Sequence, residues 1–521
     1  MQPLSALDAS FIYLESQHTP MHVGGVYLID AAGAPNDYGY SRFRTHIQQR
    51  LACSAIFRQR LVEVPYNLSH PWWINDPDFD LDTHLPRHRL PQPGGMDELM
   101  ELASHIFSQA LDRSRPLWET SFISGLDNIE GLQTGSFAMI SKVHHAAIDG
   151  GSGAELMGAL LDTSPLPRVI TDPDDWQAEE IPSTASMVKR AYAQLGRKSL
   201  ELGKFVGEVA GGIARVYGVQ KIEKLDPPPM LFSAPKTVLN QELTPKRAFR
   251  GIDFEFERIR AIRQRVPGAT VNDVVLAVCS GGLRDYLRAR EALPDAPLVA
   301  MTPISVRTEA QKGKMGNHVS AMLVDLGTDV DDPLARLRGI MRNTRGSKVY
   351  ASALPANRIT EFIPSETAAL ATRLYTRTRL GGRHRPFFNL VITNVPGPPV
   401  PLYLAGARIT NHFGMAPVLD GLGLIMVIFS YAGRISIGLL SCRDVVPDPE
   451  KLGEDILASL QQLETAVSQA EMVRPVGEEP AAQDNASMDQ ETSAAETLRR
   501  FRDASNELEE AMENFNPNGS L

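Results

Sequence analysis

Cysteine is scarce in this chain. Three occur in 521 residues, Cys53, Cys279 and Cys442, with no CxxC pair. That excludes a disulfide scaffold and a cysteine-rich zinc site, and it fits a reducing compartment. A long hydrophobic run is also missing. The longest apolar region, 422–440, is broken by Ser430, Tyr431, Gly433 and Arg434, too often for a spanning helix. Met1 to Tyr13 lacks the basic start and apolar stretch of a signal peptide. Nor is there a basic surplus. Lys and Arg number 52 against 62 Asp and Glu, a net charge of -10, whereas a nucleic-acid binder normally carries a basic face. The expectation is a cytoplasmic protein, soluble or peripheral to a membrane, with no nucleic-acid partner.

The 43% apolar and 22% charged residues are ordinary for a globular chain with a large core. At about 150 residues per domain, the length predicts two to three domains. The negative charge is unevenly placed: from Glu478 onward 11 acids face 3 bases, so the folded body is nearly neutral.

Hydrophobic periodicity divides the chain into four parts. Residues 1–182 mix strand-like runs (His22 to Ile29, Phe137 to Val143) with a helical stripe from Met96 to Leu111. Residues 183–234 read as a helical linker. Between Thr184 and Leu225 there is no proline, eight bases meet three acids, and Leu195, Leu202, Phe205, Val209, Ile213 and Val216 recur at helical spacing before Pro227-Pro228-Pro229. That stripe suits either a membrane-surface helix or packing on the body. Residues 235–472 form a second lobe. It has strands near Phe249, Leu298, Val319 and Phe388, a helix from Thr270 to Arg290, a hairpin around Ala432-Gly433 and a closing helix from Lys451. Residues 473–521 are an acidic, partly disordered tail. Leu498, Phe501, Ser505, Leu508, Met512 and Phe515 mark a short amphipathic helix there, too brief for a convincing coiled coil.

The densest chemistry lies in Ser141-Lys142-Val143-His144-His145-Ala146-Ala147-Ile148-Asp149-Gly150-Gly151-Ser152-Gly153. The preceding strand alternates, so His144 and His145 should face opposite sides, one anchored and one open. The glycines permit a tight turn. Ser152 and Glu155 have capping-box spacing, so a helix should start here. A histidine suits general-base work because its unperturbed pKa lies near neutrality. On that basis activity should fall below a pKa of roughly 6 to 7. No metal is expected, since residues facing opposite ways cannot both bind one ion. Cys279, inside an apolar helix face, reads as core.

His144-His145-Ala146-Ala147-Ile148-Asp149-Gly150 resembles the HHxxxDG signature of the CoA-dependent acyltransferase superfamily. Other segments resemble bacterial wax ester synthase/diacylglycerol acyltransferases. They are Leu4-Ser5-Ala6-Leu7-Asp8 through Phe11 to Glu15, Pro116-Leu117-Trp118-Glu119, Asn272-Asp273-Val274-Val275-Leu276-Ala277, Pro303-Ile304-Ser305-Val306-Arg307 with Gly316-Asn317, and Asn394-Val395-Pro396-Gly397-Pro398. They span about residues 4 to 452. The resemblance implies an α/β (mixed α+β) fold of two chloramphenicol-acetyltransferase-like lobes. Each would be a mixed sheet flanked by helices, with a tunnel between the lobes and one active site. It implies His145 as general base beside His144, with Asp149 in structural support and Gly150 in the turn. Arg307 is one candidate partner for Asp149.

Asn272, in the first turn of its helix, either stabilises the oxyanion or merely fills the turn between Thr270 and Asp273, which have capping spacing. Trp118, Glu15, Arg307, Asn317 and Asn394 match family positions and are candidates for substrate binding. Packing is the alternative for Trp118, and a turn role for the two asparagines. The implied activity moves a long-chain acyl group from acyl-CoA to diacylglycerol or a fatty alcohol. It needs no cofactor beyond acyl-CoA as substrate, and would act at the inner face of the plasma membrane or on lipid bodies. Two other readings are a non-catalytic lipid-binding or lipid-body protein, which would not need a base, and a condensation-type acyltransferase acting on an amine.

Overall fold

The computed structural model describes residues 1–34, 38–65, 68–148, 152–170, 174–190, 229, 233–305, 319–353 and 386–472. Asp149, Gly150, Arg307 and Asn317 lie outside these residues. So do the acidic tail and residues 191–228 and 230–232 of the expected linker; of its start, 184–190 are helical. Met1–Val467 form one compact unit.

That unit is built on two six-stranded sheets and a small third one, of β1 (Gln2–Pro3), β3 (Gln59–Val62) and β4 (Trp72–Asn75). The first large sheet has the order β12-β13-β2-β7-β6-β5. Its strands are β2 (His22–Asp30), β5 (Arg87–Arg89), β6 (Trp118–Ser124), β7 (Phe137–His144), β12 (Tyr403–Leu404) and β13 (Ala407–Met415). The second has the order β10-β9-β11-β14-β15-β8. Its strands are β8 (Arg247–Glu255), β9 (Val299–Ser305), β10 (Val319–Asp325), β11 (Leu390–Pro396), β14 (Leu424–Tyr431) and β15 (Arg434–Cys442). Both are mixed: β5 runs parallel to β6, and β11 runs parallel to β9 and β14.

Alternation along β2 and β7 explains why the first sheet is covered on both faces. Val26, Leu28, Ala138 and Ile140 point into a core shared with α3 (Met96–Ser108). Tyr27, Ile29, Phe137, Met139 and Val143 point the other way, against α2 (Tyr40–Gln49) and the helix that follows the histidine pair. The second sheet packs against the helices Val271–Arg288, Pro333–Ala353 and Pro449–Met472. The hairpin forms at the expected place. Tyr431 pairs with Arg434, leaving a two-residue loop in which Ala432 (φ 44) and Gly433 (φ 84) are both left-handed, as the twist of such a loop requires.

Chain order and spatial grouping part at residues 403–415. β13 leaves the second half of the chain and pairs with β2 in the first sheet. It also lies across the second sheet. Asn411 Nδ2 donates to Asp253 Oδ2 at 3.0 Å, and Ser436 Oγ donates to the His412 carbonyl. Glycines make the close approach available. A Cβ on Gly438 would stand 1.9 Å from Gly414 O, and one on Gly251 would stand 2.5 Å from the Phe413 ring.

Candidate active site

β7 carries the histidine pair to the end of the first sheet. His144 is its last residue and pairs with His22. The chain then leaves the strand through a short turn, His145–Ala147, before α4 (Ser152–Leu160). The helix start matches the expectation at Ser152, although the side chains of Ser152 and Glu155 are outside the description.

His144 is fully buried. Its Nδ1 accepts the Ala146 N–H at 3.0 Å, so the ring proton sits on Nε2. That nitrogen is 3.5 Å from Glu15 Oε1 and makes no close hydrogen bond among the described residues. Glu15 is also buried, and burial alone would raise its pKa. His144, Arg113 and the Met21 N–H outweigh this and hold the carboxyl at about 2.

His145 is half-buried. Its N–H donates to Met21 O at 2.8 Å. Its ring stacks on Phe11, centroids 3.8 Å apart and planes 13° from parallel. Its Nδ1 has no partner on another described residue. Desolvation lowers its pKa to about 4; its own backbone carbonyl works the other way and neighbouring His144 adds to the fall. That value lies below the 6 to 7 expected from the residue type alone and favours the neutral imidazole.

One helix presents both supports. α1 (Ala6–Leu14) starts at Ser5, whose side chain accepts the Asp8 N–H, and ends at Glu15, whose N–H donates to Phe11 O. Phe11 and Glu15 are four residues apart and so share a face. That spacing was available in the sequence as a pointer to Phe11, which reading by chemical type passed over. Arg113 and the Met21 backbone left no such signal. Arg113 reaches Glu15 across 98 residues, its Nε donating at 2.7 Å to Oε2.

The structure brings the two asparagines together. Asn394, on β11, donates through Nδ2 to Asn272 Oδ1 at 3.3 Å. Asn272 occupies the first turn of the Val271–Arg288 helix. The expected cap is present there: Thr270 and Asp273 each accept the other's backbone N–H. Asp273 is buried and also accepts from Thr344 Oγ1 at 2.7 Å. Trp118 sits in the core at 3% exposure. Its indole N–H donates to Phe57 O at 2.9 Å, and its ring stacks on His84. Cys279 is buried in its helix, and burial pushes its thiol up to about 12. Among the described residues no group of three or more His, Cys, Asp or Glu could hold a metal ion. None of their helices is long and apolar enough to cross a membrane.

Comparison with known proteins bears on this arrangement. Residues 4–275 match the wax ester synthase/diacylglycerol acyltransferase catalytic domain, and residues 315–464 match the WS/DGAT C-terminal domain. A Mycobacterium tuberculosis protein, provisionally named a diacylglycerol O-acyltransferase, is 37% identical over 467 residues, covering 89% of this chain and 100% of its own. The O-acyltransferase WSD of Acinetobacter baylyi is 32% identical, covering 91% of this chain and 99% of its own. The solved wax ester synthase/diacylglycerol acyltransferase of Marinobacter aquaeolei VT8 superposes with a TM-score of 0.63 at 29% identity, over 90% of this chain and 100% of that one. With two mixed, helix-flanked sheets and both domain matches in place, the chain belongs to the wax ester synthase/diacylglycerol acyltransferase family.

Proposed function

We propose that this protein moves a long-chain acyl group from acyl-CoA to a hydroxyl lipid, either diacylglycerol or a long-chain alcohol, with His145 as general base. One observation carries the reading. The second histidine of the pair is a neutral, half-buried imidazole, clamped by Phe11 and free of other side-chain partners among the described residues. With the ring proton on Nδ1, the Nε2 lone pair is left for the acceptor.

In the reaction Nε2 takes the hydroxyl proton as the oxygen attacks the thioester carbon. The carbonyl π electrons move onto oxygen. When the tetrahedral intermediate collapses the C–S bond breaks, and the CoA thiolate receives the proton from His145. Asn272 accepts from Asn394 through Oδ1, which leaves its own Nδ2 as a donor for the oxyanion or for positioning. Structural support from Asp149 and Gly150 and substrate binding by Arg307 and Asn317 belong to this proposal as family roles. In this proposal the substrates meet between a lobe built mainly from 1–182 and one built mainly from 235–472, with β12 and β13 of the latter completing the first sheet. Peripheral contact with the inner membrane face or a lipid body belongs to the same proposal.

Palmitoyl-CoA mixed with hexadecanol or diolein should yield free thiol and an equal amount of the matching ester. Thiol release no faster than in the absence of an acceptor would overturn the reading. The dependence on pH follows from the lowered pKa. The base works when neutral, so the rate should hold from about pH 8 down to about pH 5 and halve near pH 4. A half-maximal rate near 6.5, in protein still folded by circular dichroism, would show that the ring is not desolvated as the structure has it.

A further inference from the structure

We infer that Glu15 is a positioning residue for the histidine pair, locked in place by Arg113; this rests on the reaction proposed above. A single carboxylate oxygen lies beside one histidine and is linked to the other through Met21. Oε1 lies 3.5 Å from His144 Nε2 and accepts the Met21 N–H at 3.1 Å. The carbonyl of that same Met21 accepts the His145 N–H at 2.8 Å. The carboxylate thus stands beside the ring of one histidine, and is tied to the backbone of the other through Met21.

The second oxygen stops the carboxylate from turning. Oε2 accepts from Arg113 Nε at 2.7 Å and is 2.5 Å from Arg113 Nη2. Arg113 Nη2 also donates to Ile12 O at 2.9 Å, near the C-terminal end of α1. The guanidinium therefore joins the carboxylate to the helix that carries Phe11, the ring stacked on His145. A carboxylate 6% exposed would be costly if unpaired, so its protein partners account for its charge. Both oxygens are spent on protein groups, which makes Glu15 a residue that acts through the histidines.

The role predicts an order of variants that a purely electrostatic or purely structural role would not produce. Glu15→Gln keeps the length and an oxygen for Met21 and His144, losing only charge. Glu15→Asp keeps the charge and shortens the reach. If position is what matters, kcat should fall about tenfold in Glu15→Gln and about a hundredfold in Glu15→Asp and Glu15→Ala, with KM for palmitoyl-CoA and for the acceptor unchanged. Asp outperforming Gln, wild-type kcat in Asp or Ala, or a rise in KM at constant kcat would each overturn the assignment. Should Glu15→Ala fail to fold, the Gln and Asp pair still decides. A readout without turnover separates this from the reaction itself. In 15N-histidine spectra His144 should be the Nε2–H tautomer with a slowly exchanging ring proton in wild type and Glu15→Gln, and should lose that protection in Glu15→Asp. Fast exchange in wild type would overturn the positioning role even if the enzyme turns over. Protection in a protein that releases no thiol would overturn the reaction and leave the positioning of the pair standing.

Discussion

Replacing His145 with alanine should lower acceptor-dependent release of CoA by about 10²- to 10⁴-fold, the usual contribution of a positioned general base. The loss should fall on kcat, because the ring is proposed to touch the reacting hydroxyl and to give no uniform binding to either substrate. The fold should survive. His145 sits in a turn beyond the end of β7 and is only half-buried, so truncation chiefly removes its stack on Phe11. Initial rates with palmitoyl-CoA, together with a thermal melt, measure both. A folded His145→Ala protein with wild-type kcat would remove the base from the mechanism and leave the chain a lipid binder that happens to carry the family's histidine pair.

Gly438→Ala should unfold the protein or destabilise it by at least about 3 kcal/mol, the upper range for overpacking a core. The new methyl would stand 1.9 Å from the carbonyl oxygen of Gly414. Gly414 lies on β13 and Gly438 on β15, so the methyl would meet the backbone of the other sheet, and no side chain can rotate away. Gly158→Ala is the control. A Cβ there meets nothing within 4 Å, and in the interior of α4 alanine should stabilise by about 0.5–1 kcal/mol. Chemical denaturation of the two variants gives the comparison. If Gly438→Ala is as stable as wild type, β13 does not cross the second sheet at this distance, and the joining of the two sheets must be redrawn.

The features that were legible in the sequence share a short range. Alternation from Phe137 to Val143 was enough to make a strand that ends at His144, because side-chain direction in a strand depends on parity alone. Thr270 and Asp273 announced their reciprocal cap because a capping box is complete within four residues. The hairpin at Ala432-Gly433 needed only two strands and their turn. The family motifs were equally local strings, and they sufficed to point to acyl transfer.

Other features came only with tertiary structure, each through contacts whose partners are far apart in the chain. Nothing near Glu15 names Arg113 as its counter-ion, and nothing near Asn394 names Asn272. Trp118 could be read as substrate-facing or as core until Phe57 and His84 were seen around it. The pairing of β13 with β2 joins residues far apart in the chain, such as Met415 and Gly24, and one face of that sheet cannot be predicted from the local pattern of either strand. His145 shows the division most clearly. Its residue type set a pKa near neutrality as the starting value; the enclosure made by Phe11, Met21 and the folded sheet moved it to about 4. Sequence alone determined which groups could do the chemistry and which short elements carry them. Tertiary structure decided how dry, how close and how well held those groups are, because desolvation and long-range pairing depend on what packs around a residue rather than on what precedes or follows it.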